Sequence, residues 1–376
     1  MNMMNTNNYS VNIMMFGGRR CGKTSVLAAM KECFDKKNGG SDLTITADDN
    51  ETMLTLRKKR NEIRNYFANR GNAKRFKPDD NPTKGKQEYK MRISLKSKSN
   101  NNLVLNFLDF PGEDLDNAST LDELDKDMEK SEIIIIAVDT PFLMENCITN
   151  DPEEVGQYNE GRNYCDQLSD MVKQHFDLNK SRKMIIFVPL KCEKYIPNQQ
   201  STINSKICNA YSSLINHVTA NEYANSCQVV ITPIQTFGKA RFARFDTDGA
   251  GNIKLDENGL PSDPIYIFDD DAKNEPEPVN CEIPVEMILL YLFDTARQAK
   301  QKEINNLKGF EKIAFRFGKT FLGWPGADDF MGQEDYLREQ LRKASRNYFI
   351  VADPLRMESS INPTLTIEEI KKLLNC

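Results

Sequence analysis

Nothing in this 376-residue chain is built to cross a bilayer or to be stapled by disulfides. The longest apolar runs, "IIIIAV" and "MIIFVPL", fall far short of the roughly 20 residues a spanning helix needs. The nine cysteines are an odd number with no CxxC pair among them. They predict reduced thiols and a cytoplasmic setting. The N-terminus lacks the charged-then-apolar pattern of a secretory signal. Only two histidines are present, His175 and His217, and neither has metal-ligand spacing around it. A formal net charge of -5 leaves no overall basic footprint for nucleic acid. No internal repeat is visible.

What is present is an alternation. Residues 1–10, "MNMMNTNNYS", are polar and expected to be flexible. "VNIMMF" (11–16) predicts a strand and "KTSVLAAMKECFD" (23–35) a helix. "YKMRISLKS" and "LVLNFLDF" predict neighbouring strands, with "KSNNN" as the turn between them. "EIIIIAVD" (132–139), "KMIIFVPL" (183–190) and "CQVVITPI" (227–234) predict three more. Helices are expected over 158–176, over "TINSKICNAYSSLINHVTA", and over 284–304. Buried β-branched runs alternating with helices define an α/β fold, a three-layer sandwich around a mainly parallel sheet. Two segments interrupt the rhythm. Residues 36–82 contain the helix-like "ETMLTLRKKRNEIRNYFANR", and the polar stretch 239–281 reads as a hairpin excursion. The main domain is therefore placed at 11–304 and a helical C-terminal extension at 305–376. The last piece of that extension, "TIEEIKKLL", opens with a capping box of Thr366 and Glu369.

The stretch "GGRRCGKTS", Gly17–Ser25, fits GxxxxGK[ST] with Gly17, Gly22, Lys23 and Thr24 at the fixed positions. A strand is predicted before it and a helix after it, which is the context a phosphate-binding P-loop requires. Glycines let backbone N–H groups turn onto phosphate oxygens, and the helix N-terminus adds its dipole. Lys23 supplies a charge to the β- and γ-phosphates, and the Thr24 hydroxyl suits Mg2+. Arg19 and Arg20 add unusual bulk to this loop, Cys21 reads as a small filler, and Ser25 completes the segment. A second site lies at "LVLNFLDFPGED", where a strand ends in Asp109 and a DxxG pattern places Gly112. Asp109 suits a water-mediated Mg2+ contact, and the Gly112 N–H suits the γ-phosphate.

The order of P-loop, "NPT", strand, polar turn, strand and DxxG resembles the core of Ras-like GTPases. That resemblance implies that Thr83, in "DDNPTKGKQEYKMRISL", closes over Mg2+ and the γ-phosphate. It places Glu113 where a water-orienting glutamine is usual. It matches "VPLKCEKY" to the NKxD base motif: Lys191 fits, Glu193 replaces the aspartate, and Leu190 stands where asparagine is expected. A carboxylate facing the N1–H and 2-amino groups selects guanine over adenine. The last motif falls on "IQTFGKARF", with Thr236, Phe237 and Gly238. Over roughly residues 10–300 the pattern is similar to bacterial GTPases of multi-gene conflict cassettes, the double-GTPase or GTPase-associated systems. The likeness implies GTP and GDP as ligands with Mg2+, slow turnover, and a protein partner that reads nucleotide state. An ATPase and a catalytically weak scaffold remain the alternatives.

Three further stretches stand out. Residues 57–77 carry nine Lys and Arg against one Glu. They predict either a solvated basic face or a surface for a partner. Their few aromatics do not make a single-strand nucleic-acid platform. "DTDGAGNIKLDE" (246–257) partly mimics a calcium loop but fails at Ala250, so a hairpin is favoured. "FEKIAFRFGKTFLGW" (310–324) sets Phe310, Ile313, Phe317 and Phe321 on one stripe, suited to core packing or to a membrane surface.

Overall fold

A computed structural model of the chain describes residues 7–18, 20–37, 43–72, 74–78, 85–96, 98–110, 118–145, 152–176, 178, 182–220, 223, 226–256, 259–262, 264–301, 311, 313–315, 328–344 and 346–353. Its strands are β1 (Asn7–Phe16), β2 (Leu43–Ala47), β3 (Arg75–Phe76), β4 (Gln87–Leu95), β5 (Lys98–Asp109), β6 (Ile133–Asp139), β7 (Lys183–Leu190), β8 (Cys227–Ile231), β9 (Ala240–Phe245), β10 (Pro264–Phe268) and β11 (Phe349–Ala352). Its helices are α1 (Lys23–Lys37), α2 (Asn50–Ala68), α3 (Ala118–Lys130), α4 (Thr140–Met144), α5 (Pro152–Asn163), α6 (Cys165–His175), α7 (Ile196–Ala210), α8 (Ser212–Val218), α9 (Ile283–Gln301) and α10 (Asp328–Lys343).

Eight strands form one sheet in the order β11-β8-β7-β6-β1-β5-β4-β2. Its centre, from β5 through β1, β6 and β7 to β8, is parallel. Antiparallel pairs close it at both ends. The centre is parallel because helices cover both faces, so every residue of β6 is buried. Alternate residues go to opposite cores. Met15, Ile135 and Ile186 pack beneath α1 and α9, with Leu27, Phe34, Ile288 and Leu292. Met14, Ile134 and Ile185 face α3, α6 and α7, with Met128, Leu168, Val172 and Ile207.

The elements depart from expectation at several points. β1 begins at Asn7, because Asn7–Ser10 pair in parallel with Asn101–Val104. β5 begins at Lys98, so the whole of "KSNNN" (98–102), expected as the turn, belongs to the strand, and Leu95 pairs with Lys98. The helix expected over 158–176 is broken at Tyr164, which takes a left-handed φ of 52°. The next helix is also two, α7 and α8, broken at Tyr211. The buried Tyr211 hydroxyl donates to the Asn163 carbonyl (3.0 Å), which ties the two breaks together. β2, "LTITA", lies unannounced inside the first interruption and adds to the sheet edge. β11 returns the C-terminal extension to the sheet, antiparallel to β8.

The two interruptions form one module. β3, from the first, pairs with β10 of the second, and β10 pairs with β9. Phe76 stacks on Phe268 (4.8 Å between centroids) and Tyr266 (5.5 Å), and meets Phe237 edge-on at 5.7 Å. Phe67 of α2 closes the cluster against Phe268 at 5.1 Å. Aromatic rings in such contacts prefer offset or edge geometries, which fixes the small sheet against the main domain. Among the described residues no helix is long and apolar enough to cross a membrane. Of the 310–324 stripe, Ile313 packs on the core; Phe310, Phe317 and Phe321 lie outside the described residues.

Candidate functional site

The loop between β1 and α1 is fixed by its glycines. Gly17 has φ +149°, and a Cβ there would stand 2.6 Å from the Ala137 carbonyl of β6. Gly22 has φ +110° and leads into the first helical bond, Val26 N to Gly22 O (3.0 Å). A Cβ on Gly18 would meet the Arg162 carbonyl at 2.2 Å. The loop therefore lies flat on the strand ends, closed by the Cys21 N to Gly18 O bond (3.2 Å). Cys21 is buried, as a filler would be. Arg20 is exposed with a left-handed φ of 63°. Ser25 is half-buried in the first turn of α1.

Three chemically distinct groups converge where α1 begins. Lys23 Nζ donates to the Gly17 carbonyl at 2.9 Å and stands 3.6 Å from Asp109 Oδ1. Thr24 Oγ1 donates to Asp109 Oδ2 at 3.3 Å. Asp109 is placed here because it ends β5, in register with Met15 of β1. Its carboxylate is wholly buried, and burial pushes its pKa up while Lys23 and Thr24 pull it back. Asp109 Oδ1 has no hydrogen-bond partner among the described residues. A buried carboxylate oxygen and a hydroxyl at a helix N-terminus are the hard oxygen donors that Mg2+ takes, so the residues fit that ion.

The base-motif residues lie across the neighbouring strand ends. Glu193 Oε1 accepts from the Phe237 N–H at 3.0 Å, which joins the two predicted motifs. Burial raises the Glu193 carboxyl to about 7, against the pull of backbone N–H groups and Lys191. Its other oxygen is buried without a partner among the described residues. Thr236 is buried beside this contact. Lys191, at φ 57°, donates to Asp139 Oδ2 at 2.7 Å. Leu190 Cδ1 lies 3.9 Å from where a Cβ on Gly22 would stand.

Sequence reasoning missed the group that binds these parts together. Asp139 ends β6 and is wholly buried. Its Oδ2 takes both Lys191 and Arg162 Nε (3.2 Å), and its N–H donates to Asn163 Oδ1 (2.7 Å). The signal was the aspartate closing "IIIIAVD", because carboxyl ends of parallel strands line the ligand crevice of α/β sheets. Arg162 and Asn163 carry no local signal. Arg19, Thr83, Gly112 and Glu113 lie outside the described residues. Asp246 of the calcium-like loop pairs with Lys77 and Lys254, and Asp248 accepts from Ala250 and Asn252 N–H groups as a turn.

Gly238 follows the Phe237 contact with φ +70°, and a Cβ there would meet the Glu277 carbonyl at 1.9 Å. Gly238→Ala is expected to cost about 2–4 kcal/mol, since both backbone strain and a clash with main chain oppose it. Chemical denaturation of the two proteins checks this.

The fold and this corner define a P-loop α/β protein of GTPase-like class. The chain belongs to the Double-GTPase 2 family, whose model matches residues 12–237. Among solved structures, the GTPase-like domain of Ski7 from S. cerevisiae, bound to GDP and inorganic phosphate, is 13% identical. The match covers 61% of this chain and 44% of that one, with a TM-score of 0.32. The same domain bound to GTP is 11% identical over 69% of this chain and 50% of that one, with a TM-score of 0.30. This chain thus spans half or less of those chains. No curated protein matches the sequence.

Proposed function

We propose that this chain is a Mg2+-dependent guanine-nucleotide switch with slow GTP hydrolysis, acting on a protein partner in a bacterial regulatory or defence cassette. The convergence of Lys23 and Thr24 on the buried Asp109 at the head of α1 carries the reading. Lys23 and the α1 N-terminus hold the phosphates. Thr24 and Asp109 hold the metal, which when bound neutralises charge on the phosphate oxygens. Glu193 reads the base edge, and Lys191, anchored on Asp139, stands beside it. In this proposal Thr83 and Gly112 keep the switch roles of their motifs, and Glu113 orients water. Turnover without an activator is expected on the order of 10^-4 to 10^-2 per second. The setting proposed is the cytoplasm.

One observation favours a second reading, a catalytically weak pseudo-GTPase scaffold that does not bind nucleotide. Glu193 and Lys191 are already engaged by Phe237 N–H and Asp139. Calorimetry with non-hydrolysable GTP and ATP analogues, with Mg2+, separates these readings. Preference for the guanine analogue supports the switch. Preference for the adenine analogue means an ATPase, and binding of neither means a scaffold.

A further inference from the structure

α1 and α2 lie side by side, and the end of β2 closes the space between them. The result is a groove of about 700 Å3, lined from all three elements. Its depth comes from the small side chains Ala28, Thr46 and Ala47. Met53 and Leu56 continue the apolar floor. Met53, in the groove, is 48% exposed, and Leu54, on the adjoining face of α2 outside the groove lining, is 58% exposed. Single exposed apolar residues are ordinary, but a contiguous apolar patch marks an interaction site.

The rim is cationic. Lys31, Lys36, Arg57, Arg60 and Arg64 stand against Glu32 and Asp35, a local excess of three positive charges in a chain of net charge -5. Both acids are already used: Glu32 by Lys36, Arg60 and Arg64, and Asp35 by Lys31. Arg57 and the adjacent Lys58 are exposed and have no carboxylate partner among the described residues. Other cations of the 57–77 stretch are paired, Lys59 with Glu62, Arg64 also with Glu275, and Lys77 with Asp246. Arg57 and Lys58 thus leave uncompensated charge beside the groove, as Lys74 and Arg75 do further along the stretch.

We infer that this groove docks an acidic amphipathic helix of a partner protein. Its apolar residues would cover Met53 and Leu56 in the groove and Leu54 at its edge, and its carboxylates would meet Arg57 in the groove and Lys58 beside it. That is the helix-in-groove mode with charge complementarity at the rim. A polynucleotide suits the site less well: no aromatic side chain lines the groove, and phosphates gain nothing from Met53 and Leu54. The inference stands apart from the nucleotide reading.

The test titrates the full chain into a labelled peptide of about five helical turns, with Leu at i, i+3 and i+7 spacing and Glu elsewhere. Binding is expected, weakening severalfold as salt rises from about 50 to about 300 mM. It should weaken at least about tenfold in R57E/K58E and in M53S/L54S, with Tm unchanged, because both pairs are exposed. Three results would overturn the inference. The peptide fails to bind, or a version with every Leu replaced by Ser binds equally well. Alternatively, a single-stranded RNA of equal charge binds more tightly and is lost in R57E/K58E.

Discussion

Lys23→Ala protein is expected to bind guanine nucleotide more than about 100-fold more weakly than wild type. One charge-assisted contact to a phosphate is worth about 1.5–3 kcal/mol, and a lysine that reaches two phosphates forfeits more than one. The structure adds a second effect. Among the described residues, Lys23 is the cation paired with the wholly buried Asp109, at 3.6 Å. Removing it leaves that carboxylate with Thr24 alone, so the nucleotide-free fold should lose about 1–3 kcal/mol. The sign with pH follows from burial. The folded-state pKa of Asp109 is raised, so its contribution is fully present below the ordinary carboxylate range and is lost as pH rises through the folded value. Without Lys23 that loss deepens, and the stability deficit of Lys23→Ala should grow with pH. The double variant K23A/D109N separates the two effects: stability returns while nucleotide binding does not. Calorimetry for binding and urea denaturation at several pH values measure both. Stability unchanged in Lys23→Ala would show that the Lys23–Asp109 contact carries no net energy.

The second large effect concerns Glu193. Its carboxyl sits at about 7, pushed there by burial and held back by the Phe237 and Gly238 N–H groups and Lys191. Guanine offers N–H donors, so it needs the ionised form. Its affinity should therefore be near its plateau at pH 8 and fall about tenfold for each pH unit below 7. Near pH 6 binding should release close to one proton, read from calorimetry in buffers of different ionisation enthalpy. Glu193→Gln should abolish both the pH dependence and the preference for guanine over adenine. The same group opposes folding. Its rise from the ordinary 4.5 to about 7 means stability is lost as pH climbs through that window, by roughly 3 kcal/mol in total. Glu193→Gln should therefore be more stable than wild type at pH 8 in the absence of nucleotide. Less stable Glu193→Gln protein at that pH would mean that the carboxylate is an asset of the fold, and the site would need another reading.

Parts of this protein that repeat at short range were legible. "IIIIAV" and "MIIFVPL" name the two central strands because burial on both faces leaves no polar position, and both became β6 and β7. The P-loop was legible because Gly17 and Gly22 adopt conformations that side chains resist, which constrains the letters themselves. Long helices were misjudged where a tertiary contact outweighed local pattern. Tyr211 interrupts a continuous helical periodicity to reach the Asn163 carbonyl, and no window of sequence contains both. β2 was missed because a five-residue edge strand inside a polar insertion has too few alternations to register.

The sequence by itself determined the strand–loop–helix turn at Gly17–Ser25, the buried strands at the centre of the sheet and the strand that ends in Asp109, because each depends on neighbours within a few residues. Tertiary structure alone decided what those pieces meet. It brought Asp109 under Lys23 across the β1–β5 register, set Glu193 on the Phe237 N–H, and gathered Lys191 and Arg162 on Asp139. It also joined the two interruptions into one aromatic module, through residues nearly 200 positions apart. Electrostatic and aromatic contacts depend on distance in space, and a chain that folds β1 between β5 and β6 makes sequence distance a poor guide to it.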